Sequence, residues 1–287
     1  MISDLGRPGI IGFQRIVGGD WSIAREGLID LEDPNALEAG LEEGLEPIHI
    51  YFYVLDHPTQ GRFLIDTGMG QVFKEPSDRW PISSIVQSQM NMDTLKIRTT
   101  TADWLKSQDR EVQGVLLTHM HMDHILGSGD IESSVPFYTG PHEATAPSFL
   151  NLFVRGTTDD LLQGKRLVEL QFPVSSESAE GEEASEADET AQEEPLNVID
   201  FFGDGSLFVI HVPGHTPGSM AFLINGKDGI HFVLGDTCHT AWGWEHNVVP
   251  GSFTANHDDN RHSLNELQKL AHRLTIKKIY PGHQNLD

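Results

Sequence analysis

The chain contains the stretch His119-Met120-His121-Met122-Asp123-His124, and this stretch decides the fold. It brings three imidazoles and one carboxylate together directly after an apolar run, 114–117, that predicts a buried strand. Imidazole is the commonest protein ligand for metals such as zinc, and a carboxylate completes a set of mixed nitrogen and oxygen donors. Such a cluster beside a buried strand would carry a large desolvation cost unless a metal ion compensated it. The stretch therefore predicts a metal site.

The spacing within this stretch predicts two metal centres. From an extended loop, the alternate positions His119 and His121 can point to one centre. Asp123 and His124 can turn towards a second centre.

Three later positions have the same character. They are His215 in the segment 213–219, Asp236 in the segment 234–237 and His283 in the segment 281–283. Each follows a predicted strand and is preceded by Gly, which permits the backbone bend that turns a side chain inward. Each of these three residues alone is a modest signal. Together with the 119–124 cluster, and in this order, they are a highly specific signal for a metal site.

These motifs resemble those of the metallo-β-lactamase superfamily, and the resemblance spans roughly residues 48–283. It implies an α/β (α+β) fold, a four-layer αββα sandwich of two mixed sheets with helices outside. It implies that one metal is bound by His119, His121 and His215, and the other by Asp123, His124 and His283. Asp236 is implied to bridge the two ions.

Asp66, in Leu64-Ile65-Asp66-Thr67-Gly68, corresponds in this resemblance to an aspartate that supports a ligand histidine without binding metal. A carboxylate in that position fixes the tautomer of the imidazole. Asp66 ends a predicted hairpin whose strands, 48–55 and 62–65, flank the turn 57–61. Its other interpretation is a simple turn residue.

The rest of the chain divides into short strands and a few helices. Strands are predicted at 135–139, 166–172, 198–202, 207–212, 220–224, 230–234 and 276–280. Helices are predicted at 97–108, from 141 and at 259–274. With 287 residues, 38% of them hydrophobic, the chain can bury a substantial core, and we expect a single domain, 1–287. Small and acidic residues dominate 175–195 and predict an acidic, mobile loop without chemistry.

The composition of the chain limits which substrates and cellular settings are expected. Acidic residues outnumber basic ones 43 to 19, and the formal charge of -24 argues against nucleic acid as a substrate. We expect a cytoplasmic protein without a membrane segment, because neither a secretory signal nor an apolar run of spanning length is evident. The single cysteine, Cys238, excludes an intramolecular disulfide and is expected to serve packing.

The metal set predicts a hydrolase. Two divalent ions sharing a water can supply hydroxide as the nucleophile and polarise a substrate carbonyl. Zinc is the expected metal, although the same donors accept Fe, Mn or Co. Asp123, or a nearby acid, is the candidate that protonates the leaving oxygen. His239 is a candidate helper at a position where lactone-cleaving relatives often carry a tyrosine, and its other interpretation is an exposed loop histidine.

The spacing from His215 to Asp236 to His283 resembles that of N-acyl homoserine lactonases and related small-ester hydrolases. This resemblance implies a small ester or lactone as the substrate, with N-acyl homoserine lactones as the leading class. One alternative is a glyoxalase II-like thioesterase, for which Lys277 and Lys278 are the only obvious cationic pair. Others are a phosphodiesterase or organophosphate hydrolase, and a metal-binding protein without catalysis. The candidates for an apolar pocket are Met120, Met122, Phe149, Phe153, Trp242 and Trp244. A homodimer is expected by resemblance, and the first 45 residues can cover the site or a neighbour.

Overall fold

The computed structural model describes residues 9–145, 152–173 and 196–284, with side chains from 156 onward in the middle range. The predicted loop at 175–195 and Phe149 lie outside the described residues, and so does the side chain of Phe153.

The first half of the chain forms a mixed sheet, seven-stranded within the described residues. Its strands are β1 (Gly12–Ala24), β2 (Leu45–His57), β3 (Gly61–Ile65), β4 (Lys96–Ile97), β5 (Val112–Leu116), β6 (Pro136–Thr139) and β7 (Arg166–Glu169). The order is β4-β1-β2-β3-β5-β6-β7. Pairs from β4 to β3 are antiparallel, and pairs from β3 to β7 are parallel.

The second half forms a smaller mixed sheet, five-stranded within the described residues. Its strands are β8 (Val198–Asp200), β9 (Leu207–His211), β10 (Met220–Gly226), β11 (Gly229–Gly235) and β12 (Ile276–Pro281). The order is β12-β11-β10-β9-β8, and only the β11–β12 pair in this described sheet is parallel.

The described helices are mostly short. They are α1 (Arg25–Leu28), α2 (Pro34–Glu38), α3 (Ser84–Gln89), α4 (Thr101–Lys106), α5 (Met122–Ile125), α6 (Leu152–Leu161), α7 (Ala241–His246) and α8 (His257–Arg273). Among them, none has the length and apolar character that a membrane crossing requires.

Successive side chains of each strand point to opposite faces of its sheet, and this alternation gives the molecule four layers, two sheets with helices outside. Tyr51, Tyr53 and Leu55 of β2 face a core that they share with Phe222 and Ile224 of β10, so the two sheets pack face to face. The intervening positions of β2 lie in a second core with α3 and α5, and those of β10 lie in a third core with α8. Both sheets are therefore buried on both faces, and the predicted αββα sandwich is confirmed.

The structure corrects several predicted boundaries. The helix predicted at 97–108 begins only at Thr101, because the side chain of Thr100 caps it by accepting from Asp103 N at 3.2 Å. Ile97 instead pairs with Gly19 in the sheet. The segment from 141 is a turn and not a helix, with His142 at φ 61°.

Strand β1 was not predicted. Its adjacent Gly18 and Gly19 and its bulge between Val17 and Gly19 interrupt the alternation that identifies a strand from sequence. It is nevertheless paired with β2 over nearly its whole length.

Candidate metal centre

The predicted ligands converge at one edge of the sandwich, because each follows the carboxyl end of a strand. The cluster at 119–124 follows β5, His215 follows β9, Asp236 follows β11 and His283 follows β12. Asp66 follows β3 in the same way. Loops from both sheets therefore meet at this edge.

Side-chain donor atoms form two groups that can each hold a metal ion. The first ligand group is His119, His121, His215 and Asp236. The second ligand group is Asp123, His124, His283 and, again, Asp236. In each group the donor atoms lie within 4.8 Å of one another. These are the groupings that the resemblance implied, with Asp236 shared.

The oxygen Oδ2 of Asp236 lies at the centre of this arrangement. Nε2 atoms surround it at 3.0 Å (His239), 3.2 Å (His124), 3.2 Å (His283), 3.5 Å (His215) and 3.6 Å (His119). Asp123 approaches from the second group, with its Oδ2 3.2 Å from His283 Nε2. One carboxylate oxygen is thus close to both groups.

For His119, His124 and His283, the second ring nitrogen points away from the centre towards a neighbouring polar group. His121 differs, because its Nδ1 lies 2.9 Å from His215 Nε2 inside the site. His283 Nδ1 donates to the carbonyl of His49 at 3.1 Å, and His124 Nδ1 donates to Asp66 Oδ2 at 2.8 Å. His119 Nδ1 lies 3.1 Å from the hydroxyl of Thr118, which itself contacts Asp66. Protons held at Nδ1 leave the Nε2 lone pairs directed at the centre, which is the tautomer that a metal ion requires.

Buried atoms without a hydrogen-bond partner show that a cation fits here. Among the described residues, His119 Nε2 and Asp236 Oδ1 are buried and accept or donate no hydrogen bond. Leaving such groups unsatisfied in a protein interior is costly. Imidazole nitrogens and carboxylate oxygens are donors that zinc accepts, so the residues present fit a divalent metal.

The three imidazoles of the first ligand group are uncharged without metal. Burial lowers the pKa of His121 to about 4 and holds the pKa values of His119 and His215 well below their usual range. Their unprotonated rings are ready to donate to a metal ion.

The second ligand group holds protons without metal. Burial opposes the charge on His283, but Asp236 and Asp123 raise its pKa to about 10. Burial likewise opposes the charge on His124, whose pKa the neighbouring carboxylates raise well above its usual range. Burial alone would raise the pKa of Asp123, yet His124 and His283 lower it to about 2. The carboxylates of this group therefore favour a positive charge at His124 and His283.

Asp66 contacts His124, one of the predicted ligands, and is therefore more than a simple turn residue. Besides His124, it accepts from the backbone N of Thr118 at 2.8 Å. Burial raises the pKa of Asp66, although His124 and Thr118 lower it. Asp66 therefore orients one imidazole and anchors the start of the 119–124 loop.

His239 is buried beside the centre and is not an exposed loop residue. Its Nδ1 donates to the carbonyl of Leu28 at 3.1 Å, and its Nε2 lies 3.0 Å from Asp236 Oδ2. This orientation aims Nε2 at the same point as the predicted ligands.

Glu143 is a site residue that the sequence did not reveal. It is buried, and its carboxylate accepts from Met120 N at 2.8 Å and from Gly218 N at 2.9 Å. Burial raises its pKa, which the hydrogen bonds from Thr216, Met120 and Gly218 lower. No motif marks an isolated glutamate in a turn, so only the fold shows that it joins two ligand loops.

A cavity opens onto both ligand groups. Its apolar walls are Ile23, Leu28, Ile48, Val86, Met90, Met122 and Phe253. Its floor is formed by His121, Asp123, His215, Asp236, His239 and His283. Ile23 and Leu28 belong to β1 and α1, so the N-terminal segment does line the site, as its position suggested.

Of the apolar residues predicted for the pocket, Met122 lines the cavity. Met120 and Trp242 pack instead against the core on the outer face of the large sheet, and Trp244 packs against the core beside α8. Cys238 is fully buried, and burial raises the pKa of its thiol to about 12, in agreement with a packing role.

Together, the sandwich and its edge of histidines and aspartates define a metal-dependent hydrolase. The model of the metallo-beta-lactamase superfamily matches residues 44–283, and the chain belongs to this superfamily.

Several known proteins are similar to this chain in sequence or in structure. The N-acyl homoserine lactonase AttM of Azorhizobium caulinodans is 26% identical over 239 residues, which cover 82% of each chain. The hydroxyacylglutathione hydrolase of Shewanella loihica is 26% identical over 182 residues, 63% of this chain and 52% of the relative. The structure of a single-residue mutant of B. thuringiensis AiiA, with N-decanoyl-L-homoserine bound at the active site, superposes with a TM-score of 0.67 at 15% identity. That superposition covers 95% of this chain and 92% of AiiA. The similarity to AiiA supports the fold.

Proposed function

We propose that this chain hydrolyses lactones, with N-acyl homoserine lactones as the leading class, by means of two divalent ions held by the first and second ligand groups. The cavity is the observation that carries the proposal. Its floor consists of metal-binding side chains and its walls are apolar, and none of its described lining residues is Lys or Arg. Such a site suits a neutral substrate with a polar ring and an apolar tail.

The relatives support the same substrate class. AttM is named as an N-acyl homoserine lactonase, and AiiA is described with N-decanoyl-L-homoserine at its active site. The apolar residues line the same cavity as the metal-binding side chains, so an acyl chain attached to a bound lactone ring could extend along them.

Two divalent ions, when bound, lower the pKa of a water held between them and polarise a carbonyl oxygen of the substrate. We propose zinc, because imidazole and carboxylate donors in four-membered groups suit its coordination preference. The ligands would be the seven residues of the two groups.

Asp123 is the proposed proton carrier. It lies in the floor of the cavity, and its Oδ2 is 3.2 Å from His283 Nε2. From this position it can take a proton from the attacking water and return it to the leaving oxygen of the lactone.

His239 is the proposed substrate contact. The hydrogen bond from Nδ1 to the carbonyl of Leu28 fixes the ring in the floor of the cavity, so that Nε2 points towards Asp236. A ring held in this way can orient the lactone above Asp236 without reorganising. It would do so where a tyrosine stands in many lactone-cleaving relatives.

The thioesterase alternative is favoured by one observation, the similarity to the Shewanella loihica hydrolase. A glutathione thioester carries carboxylates that a binding site would meet with cations. Lys277 and Lys278 do not supply them, because they lie on β12, away from the cavity lining, and Lys277 pairs with Asp228. A phosphodiester would likewise meet no Lys or Arg in this lining and would depend on the two metal ions for its cationic contacts.

A substrate panel tests the proposal. The zinc-loaded protein would be mixed with acyl homoserine lactones, S-lactoylglutathione and a phosphodiester, and acid release would be followed with a pH indicator. We expect lactone turnover that is lost in His119→Ala. Turnover of only the thioester or only the phosphodiester would overturn the substrate assignment, and lactone turnover that persists in His119→Ala would overturn the role of the metal.

A further inference from the structure

Glu143 connects two loops that carry metal ligands. It lies after β6 and points its carboxylate inward, with 8% of the residue exposed. One oxygen accepts from the backbone N of Met120, between His119 and His121. The other accepts from the backbone N of Gly218, three residues after His215. A single carboxylate thus joins the two backbone segments that supply the first ligand group's three imidazoles.

The segments around Glu143 are in close backbone contact. A Cβ atom on Gly218 would lie 2.5 Å from Glu143 Cβ, and one on Gly140 would lie 1.9 Å from the carbonyl oxygen of Gly218. No larger residue fits at either position without a shift of the backbone. The carboxylate therefore acts on the backbone of the ligand loops directly, over two short hydrogen bonds.

The second ligand group is held by other contacts. His124 is oriented by Asp66, and His283 is oriented by the carbonyl of His49. Neither contact involves Glu143. Loss of the Glu143 carboxylate should therefore displace the imidazoles of one group and leave those of the other in place.

We infer that Glu143 is a positioning residue that sets the geometry of the first ligand group, by holding the loop of His119 and His121 in register with the loop of His215. The inference rests on the proposed two-metal site. Partners that orient metal ligands typically contribute about 10- to 100-fold to metal affinity. Glu143 would contribute to metal affinity by binding the backbone N–H groups of Met120 and Gly218, and not by binding a ring nitrogen of a ligand histidine.

Stepwise zinc affinities of Glu143→Gln test this inference. The substituted amide keeps one acceptor oxygen and turns its NH₂ group towards a backbone N–H, so one of the two loops is released. In competition with a chromophoric chelator, we expect one zinc affinity to fall about 10- to 100-fold and the other to stay unchanged. With one equivalent of Co²⁺, the visible spectrum should match that of His215→Ala and differ from that of His283→Ala.

Glu169→Gln is the matched control, because Glu169 is exposed and accepts from His142 N on the same turn, at 2.9 Å, without touching a ligand loop. It should bind both ions as the wild type does. Glu143→Asp, which is too short to reach both nitrogens, carries the same expectation as Glu143→Gln and replaces it if that variant does not fold. Two unchanged affinities, or an equal fall in both, would overturn the inference. A wild-type protein that binds fewer than two ions would instead overturn the proposed function.

Discussion

Asp66 Oδ2 lies 2.8 Å from Nδ1 of His124, and the backbone of Asp66 is held in the left-handed region at φ 56°. Asn tolerates this conformation, so Asp66→Asn removes the charge while the turn can persist. We expect the zinc affinity of the second ligand group to fall by about tenfold or more, because the imidazole loses its carboxylate partner. Chelator competition measures the change.

Asp228→Asn provides the control for this variant. Asp228 contacts His231 Nε2 at 2.8 Å, so it is another carboxylate–imidazole pair, but it lies outside both ligand groups. Equal zinc affinities in Asp66→Asn and Asp228→Asn would contradict the role assigned to Asp66.

Removal of His239 should separate catalysis from metal binding. We expect His239→Ala to retain two zinc ions and to lose activity on lactones by about 10²-fold, the usual scale for one positioned polar group in the transition state. Steady-state kinetics and metal analysis on the same sample measure both. Undiminished turnover at full metal content would remove His239 from the mechanism.

Narrowing the cavity should change the preference for chain length. Each buried methylene contributes about 0.8 kcal/mol, so kcat/KM should rise up to about fourfold per added methylene until the cavity is full. Met90 lines the cavity and is half-buried, so Met90→Trp should fill this space and abolish the preference for long acyl chains. Ile85→Trp is the control, because Ile85 lies on α3, which ends directly before Met90, but is 53% exposed and outside the lining. An unchanged preference in Met90→Trp would place the acyl chain elsewhere.

Cys238 should be unreactive in the native protein. Its Sγ donates to the carbonyl of Thr240 at 3.3 Å in a fully buried position, and burial raises its pKa to about 12. Only the thiolate reacts with alkylating reagents. We expect labelling at pH 8 only after unfolding in denaturant, as measured by mass spectrometry. Rapid labelling of the folded protein would contradict the burial.

Much of the site could be predicted because its ligands are consecutive in sequence or marked by glycine. The run from His119 to His124 needs no tertiary information, and a glycine before Asp236 or His283 marks a sharp bend after a strand. The hairpin of β2 and β3 could also be predicted, because its apolar strands and its turn residues both indicate a hairpin.

Tertiary contacts determine what could not be predicted. Glu143 acts through backbone groups that are 23 and 75 residues away in sequence, so nothing local identifies it. Leu28 and Phe253 line the same cavity from opposite ends of the chain. Strand β1 contains a bulge, and its pairing with β2 outweighs the weak local preference of its glycines.

A zinc titration of the metal-free protein gives the clearest test of the two-metal mechanism. Hydrolysis of a long-chain acyl homoserine lactone would be followed at each ratio of metal to protein. Two ligand groups that share Asp236 predict that activity rises until two equivalents are bound and then stays constant. Activity that is complete at one equivalent would contradict the two-metal mechanism. Absence of lactone hydrolysis at two bound equivalents would contradict the assigned substrate class.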